Sequence, residues 1–161
     1  MSKVSNGFAH ESAYNESQEW YTPPYIFDAL GLRFDLDVAS PGASVVPWIP
    51  ADRHLTFEDS GLLQRWTGRV WCNPPYGTDT AIWVEKFCQH RDGVMLVFSR
   101  TDTVWFQKHA RRADLLCFVK GRVKFQRHDG FSGAGSLLIA FGERSVCAVQ
   151  NSNLGACMKS V

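Results

Sequence analysis

Arg69-Val70-Trp71-Cys72-Asn73-Pro74-Pro75-Tyr76-Gly77 is the stretch on which the reading of this chain turns. Val70 to Cys72 is a short run of strand formers. It stops at two prolines, which cannot donate to a sheet ladder, so a strand is predicted to end at this tetrad. Downstream, Thr80 to Gln89 carries apolar residues at 82, 83, 84, 87 and 88, the spacing of a helix. Gly93 to Phe98 and Leu115 to Val119 are continuous apolar runs of strand length, hence strands buried on both faces. Asp102 is placed to cap a helix running through Ala110, and Ser136 to Phe141 is a last buried strand. Alternation of strand and helix predicts an α/β fold, with a parallel sheet and right-handed crossovers.

Upstream, Thr22-Pro23-Pro24 reads as an N-cap followed by prolines in the first helical turn, and Gly31 as the helix stop. Phe34 to Val38 is a short strand, followed by the turn-rich Ala39 to Ser44. Residues 45–68 show no clear period and are expected to be loop, with one short helix near Ser60 to Gln64. The expected organisation is a mobile N-terminal arm over residues 1–18, one domain over 19–142, and an extension or edge element over 143–161.

The 161 residues and 18.1 kDa are enough for one domain with its own core. The 45% hydrophobic and 20% charged content excludes a disordered chain. No apolar run is long enough for a membrane helix, and Met1 to Gly7 is too polar for a secretion signal. Cys72, Cys88, Cys117, Cys147 and Cys157 form no CxxC pair, which argues against a disulfide framework or zinc ribbon and for a reducing cytoplasm. The histidines at 10, 54, 90, 109 and 128 lack metal-ligand spacing and are read as structural or surface residues, with no metal expected.

The near-neutral total hides an asymmetry. Arg100, Lys108, Arg111, Arg112, Lys120, Arg122, Lys124 and Arg127 face only Asp102 and Asp114 within their own segment. A basic lobe of this kind suits a polyanion, although a solvated helix face has the same composition.

The tetrad suggests a chemistry. The amino group on a nucleobase is a poor nucleophile because its lone pair is delocalised into the ring. Two acceptors aimed at its two hydrogens favour the pyramidal form, in which that lone pair becomes available. The Asn73 side-chain oxygen and the Pro74 carbonyl can supply them, Pro74 and Pro75 stiffen the turn, and Tyr76 offers a ring face for stacking. This is preorganisation without a general base. A strand end of an open parallel sheet is also where ligands bind. The plain alternative is a proline-stiffened turn.

Asn73-Pro74-Pro75-Tyr76 resembles the catalytic motif of amino methyltransferases that use S-adenosylmethionine. Further landmarks are similar to the compact DNA N-6-adenine methyltransferases carried by bacteriophages and prophages: Glu19 to Pro23, Phe34 to Ala39, Thr56 to Leu62, Trp66, Val70 to Gly77, Arg100 to Thr103 with Trp105-Phe106, and Lys120 to Phe125. Several spaced motifs in one order are far more specific than the tetrad alone. The resemblance implies a Rossmann-like methyltransferase fold: a mostly parallel twisted sheet with one antiparallel strand. It implies Trp20, Tyr21, Thr22, Pro23, Asp37, Ala39 and Asn73 at the cofactor, with either Glu58 or Asp59 on its ribose hydroxyls or adenine amino group; Asp59 is carried forward. It also implies catalysis at Asn73, Pro74, Pro75 and Tyr76, and double-stranded DNA held by Arg100, Arg122, Lys124, Phe125 and Arg127, with Phe125 against the flipped base.

Ser40-Pro41-Gly42-Ala43-Ser44 carries one glycine where the family has a glycine-rich loop, and only 35 residues separate Asp37 from Asn73. One sheet edge is therefore expected to be truncated. Three functional readings follow: a DNA adenine methyltransferase, a methyltransferase acting on an RNA base or a glutamine amide, and a non-catalytic binder of DNA or cofactor. The basic lobe favours nucleic acid, and the intact tetrad favours an enzyme, working in the bacterial cytoplasm.

Overall fold

The computed structural model describes residues 20–126 and 133–160. Helix α1 (Pro24–Leu30) leads into β1 (Phe34–Asp37) and β2 (Ala51–His54). A 3-10 turn at Phe57–Asp59 precedes β3 (Val70–Cys72), α2 (Thr80–His90) and β4 (Gly93–Phe98). Then come α3 (Val104–Lys108), a 3-10 turn at Ala110–Arg112, β5 (Leu115–Val119), β6 (Ser136–Phe141), α4 (Glu143–Asn151) and β7 (Gly155–Met158). The seven strands form one sheet in the order β2-β1-β3-β4-β6-β5-β7.

The pairs β1–β2, β1–β3 and β3–β4 are parallel, whereas β6 runs antiparallel to β4 and β5, and β7 antiparallel to β5. Two strands therefore oppose the other five, rather than the single one expected. The burial of Ser136 to Phe141 is legible in its apolar run, but such a run carries no direction. An antiparallel pair needs no crossover helix, and none lies among the described residues between β5 and β6. Residues 143–158 supply α4 and β7, which hydrogen-bonds to β5 along the sheet edge.

The core has two layers because side chains alternate along each strand. On β4, Met95 and Val97 pack with Trp83, Val84 and Phe87 of α2 and Phe106 of α3. Val94 and Leu96 point the other way and pack with Ile26, Phe27 and Leu30 of α1 and Val149 of α4. Gly93 is required where β4 starts: its φ is +137°, and a Cβ there would lie 2.1 Å from the Val70 carbonyl oxygen.

Local chemistry moves three expected boundaries. Pro23, not Thr22, is the N-cap of α1, leaving the Thr22 hydroxyl for another partner. Thr103, not Asp102, caps α3, its Oγ1 accepting from the Phe106 N–H at 3.3 Å. The expected helix near Ser60 is replaced by the 3-10 turn at 57–59. A capping box between Thr56 and Asp59 closes that turn. Strand β2 was not expected. Ala-Asp-Arg-His lacks an apolar alternation because an edge strand exposes much of its surface. Only this four-residue strand and the 3-10 turn lie between β1 and β3, so that edge is short.

Candidate active site

Strands β1 and β3 are parallel neighbours, and both end at the same rim of the sheet. Asp37 therefore emerges beside the Cys72–Asn73 step. A cavity of about 610 Å³ opens there, in the size range of small-molecule sites. Its wall includes Trp20, Tyr21, Thr22, Asp37, Ala39, Asn73, Pro74 and Pro75. These eight anticipated site residues, drawn from three separate stretches of chain, thus share one cavity.

Asn73 is held firmly. Its Nδ2 donates to the Trp20 carbonyl oxygen at 2.5 Å and to Thr22 Oγ1 at 3.1 Å. A carbonyl can only accept, so the amide nitrogen must face Trp20 and the amide oxygen must face away. That oxygen, Oδ1, is buried and has no protein partner. Thr22 is itself fixed, since Trp48 Nε1 donates to its carbonyl oxygen at 2.9 Å.

Asp37 is the second buried acceptor, only 1% exposed. Oδ1 takes a long bond from the Ala39 N–H at 3.4 Å. Oδ2 has no hydrogen-bond partner, although His54 Nδ1 lies 3.4 Å away. Burial raises the Asp37 pKa above the usual carboxylate value, and the neighbouring His54 and the Ala39 N–H pull it partly back. Trp71 Nε1 is likewise buried and unpartnered. Cavity-lining residues therefore carry two acceptors and one donor that have no protein partner. Buried polar groups are seldom left so, and Asn73 Oδ1 and Asp37 Oδ2 are two acceptors on the cavity wall open to a ligand's donors.

The outer lip runs from Phe57 to Leu63. Phe57 is 95% exposed and Leu63 is 85% exposed, and both belong to the cavity wall together with Glu58. Lys86 pins the base of this lip: Nζ donates to the carbonyl oxygens of Leu62 and Gln64, each at 2.6 Å. Partial burial lowers the Lys86 pKa. Trp66 Nε1 donates to the Gly61 carbonyl oxygen at 2.8 Å. Gly61 has to be glycine, because a Cβ there would lie 2.1 Å from the Val38 carbonyl oxygen.

Four expected placements change. Asp59 turns back to bond the Thr56 N–H at 2.7 Å and its hydroxyl at 3.0 Å, so its side chain closes the turn and Glu58 lines the cavity. The motif Thr-x-x-Asp, read as a capping box, carries that signal in the sequence. Pro23 starts α1 and does not line the cavity. Tyr76 is 9% exposed and stacks on Phe98 with ring centroids 4.2 Å apart, so one of its faces is already covered. Burial pushes its hydroxyl pKa up strongly. Phe125 is 2% exposed, its ring 5.5 Å from that of Trp20. Trp20, Tyr76, Phe98 and Phe125 thus form one aromatic cluster, and Trp20 connects it to Asn73 through its own carbonyl.

The basic segment divides between the two ends of the sheet. Arg100 follows β4 and Lys120, Arg122 and Lys124 follow β5, at the rim where β3 delivers Asn73. Arg122 and Lys124 are exposed, while Val123 and Phe125 are buried, the period-two pattern of extended chain. Tyr21 and Gln126 form a β-bridge that ties this segment to the site. Lys108, Arg111 and Arg112 sit at the opposite end, before β5 begins, about 20 Å away along the length of a strand. Arg127 lies outside the described residues.

Sequence reasoning missed His54 and Ser40 as site residues, because β2, which places His54, has no periodic signature; the lip was anticipated through Glu58 and the stretch Thr56 to Leu62. Among the described residues, no group of three or more His, Cys, Asp or Glu side chains is placed to hold a metal ion, and no helix is long and apolar enough to cross a membrane. Comparison with family models matches residues 11–146 to one described as DNA N-6-adenine-methyltransferase (Dam). No curated protein and no solved structure matches the chain.

Proposed function

The chain belongs to the DNA N-6-adenine-methyltransferase (Dam) family, and from this we propose that it methylates the exocyclic N6 of adenine in double-stranded DNA with S-adenosylmethionine as donor. The observation that carries the reading is the buried, unpartnered Asn73 Oδ1 in the cavity wall, with its amide nitrogen pinned by Trp20 and Thr22. An acceptor held in this way is aimed at a donor that arrives from outside the protein. An adenine amino group is such a donor.

The cavity suits the proposed cofactor. Asp37 offers a carboxylate to a cationic group, Glu58 offers acceptors at the rim, and Val46, Ile49 and Leu62 supply apolar wall for a planar ring. When bound, S-adenosylmethionine provides an electrophilic methyl group on a sulfonium. The residues of the chain handle the nucleophile. Asn73 Oδ1 accepts one N6 hydrogen, and the Pro74 carbonyl is the candidate for the other. Withdrawing the two hydrogens from the ring plane localises the nitrogen lone pair. The acceptors are oriented before the substrate arrives, so little reorganisation remains for the reaction itself. No side chain is required to take a proton before the nitrogen reacts, and the surplus proton on the methylated nitrogen passes to solvent afterwards.

To reach this position an adenine must leave the base stack, at a cost of a few kcal/mol. Arg100, Arg122 and Lys124 lie on the same rim and are assigned to the phosphates on either side. The aromatic cluster around Trp20 meets the extruded base by edge contacts, since Phe98 already covers one face of Tyr76. The compact arrangement of motifs is in keeping with the phage-borne enzymes that the sequence resembles, and protection of phage DNA from restriction in the host cytoplasm is the corresponding proposed role.

The test is to express the protein in bacteria lacking adenine methylation and to digest their DNA with methylation-sensitive and methylation-dependent nucleases. Protection from the first class and cleavage by the second are expected. Unmodified DNA despite folded, abundant protein would overturn the reading.

A further inference from the structure

His54 has no place in the expected site, yet it stands directly behind Asp37. The two residues are register partners at the ends of β2 and β1. Leu55 N–H donates to the Asp37 carbonyl oxygen at 2.8 Å and Ser40 N–H donates to the Leu55 carbonyl oxygen at 2.9 Å, so the backbone holds all three positions together. His54 Nδ1 lies 2.9 Å from Ser40 Oγ and 3.4 Å from Asp37 Oδ2. Ser40 Oγ also accepts from the Gly42 N–H at 3.0 Å.

The single nitrogen Nδ1 therefore faces two oxygens. Suppose Nδ1 carries no proton. It then accepts from the Ser40 hydroxyl and turns a lone pair toward Asp37 Oδ2, which is tolerable only if Asp37 is itself protonated. Suppose instead that Nδ1 carries a proton. It can then donate to Ser40, and its positive edge stabilises an ionised Asp37. A neutral His54 with its proton on Nδ1 also fits an ionised Asp37, so one nitrogen couples the two residues through both tautomer and charge. Asp37 is almost wholly buried, so without a ligand the electrically neutral pair is favoured over one with net negative charge. A cationic ligand beside Asp37 reverses that preference.

We propose that His54 is a positioning residue that shares a proton with Asp37, and that the pair releases this proton to solvent when a ligand bearing an ammonium group binds in the cavity. The inference rests on the cofactor reading above and adds a linkage to it. No bond other than that to the proton changes: the neutral pair holds one proton more than the negatively charged pair, and the difference passes to the buffer. Among the described residues, Cys72 from β3 is the titratable neighbour that feels the charge of Asp37, and Arg53, Glu58 and Asp59 lie close to His54 in sequence. Cys72 is buried and its thiol pKa is pushed up by desolvation and by Asp37, so it stays neutral. Arg53, Glu58 and Asp59 are exposed and screened by solvent.

The experiment is calorimetry of S-adenosylhomocysteine and S-adenosylmethionine at neutral pH, in two buffers of different ionisation enthalpy. For the full-length wild-type chain, the observed enthalpy should change between buffers in proportion to a proton release approaching one per ligand. His54→Asn places an amide nitrogen where Nδ1 stands and cannot titrate. It should still bind, but the pH range over which the proton is released should be displaced, because Asp37 then holds the proton without an imidazole beside it. Should that variant not fold, the wild type alone provides the second measurement: affinity should strengthen with rising pH by up to tenfold per unit until the pair is already deprotonated. Binding by the wild type with no buffer or pH dependence overturns the proton-sharing proposal and leaves the cofactor reading standing. Absence of binding for both ligands overturns the cofactor reading, and this proposal with it.

Discussion

The Asn73 side chain donates to the Trp20 carbonyl oxygen across 53 residues of sequence. This bond decides which end of the amide faces the cavity, and it joins the tetrad to the segment that enters α1. Removing the amide should therefore harm catalysis more than binding. Asn73→Ala is expected to lower kcat about a hundredfold, corresponding to about 3 kcal/mol of lost preorganised stabilisation. Cofactor affinity should change little. Single-turnover methylation alongside calorimetry separates the two quantities, and near-normal turnover would remove Asn73 from its proposed role.

Tyr76 should behave as a packing residue with catalytic consequences. Its hydroxyl lies 3.4 Å from the Leu96 carbonyl oxygen, a weak bond, so Tyr76→Phe should retain most activity and stability. Tyr76→Ala deletes a buried ring stacked on Phe98 and should cost about 3–5 kcal/mol of stability. Chemical denaturation of both variants checks this. A large activity loss in Tyr76→Phe with unchanged stability would point to a direct role for the hydroxyl.

Asp37 predicts opposite effects on folding and binding. Its pKa is raised in the folded state, so the folded protein holds that proton more tightly than the unfolded chain does. Stability is then highest below the ordinary carboxylate pKa and declines as pH rises through the elevated folded value. Asp37→Asn removes the decline. At neutral pH it should raise Tm, with each kcal/mol gained appearing as about 2–4 °C at this chain length, while weakening cofactor binding. Thermal scans across pH with parallel titrations test both halves. A lower Tm in the variant would refute the sign.

The division of the basic segment makes DNA binding position-dependent. Each phosphate that Arg122 and Lys124 neutralise contributes about one to the salt slope of DNA affinity, so Arg122→Ala with Lys124→Ala should flatten that slope. Arg111→Ala with Arg112→Ala, at the far end of the sheet, should leave the slope unchanged. Equal effects from the two pairs would place the duplex elsewhere.

Lys86 supports the lip of the cavity from below. Lys86→Met keeps most of the stem packed against Trp66 but leaves the carbonyl oxygens of Leu62 and Gln64 without their charged donor. A stability loss of about 1–2 kcal/mol is expected, toward the low end for bonds to charged groups because Lys86 is only partly buried. Cofactor affinity should fall with it. Denaturation and calorimetry on the one variant measure both.

Sequence alone determined the elements whose signal is local. The buried strands at 93–98, 115–119 and 136–141, the helix from Thr80, and the strand that ends at Asn73 follow from apolar runs, helical spacing and proline. The resemblance put Asp37 and Asn73 at one cofactor, and the motifs of the amino methyltransferases were legible because they are contiguous. Tertiary structure alone decided the rest. The direction of β6 and the docking of β7 depend on which strand edges remain open, and an apolar run carries no information about that. The four residues of β2 become a strand only because β1 offers them a ladder. That ladder brings His54 to Asp37, although the two are well separated in sequence. The Tyr76 ring turns to Phe98 because β3 and β4 end side by side. For β2, β6, β7, His54 and Tyr76 the deciding partner lies on another element, and its distance is set by folding rather than by spacing along the chain.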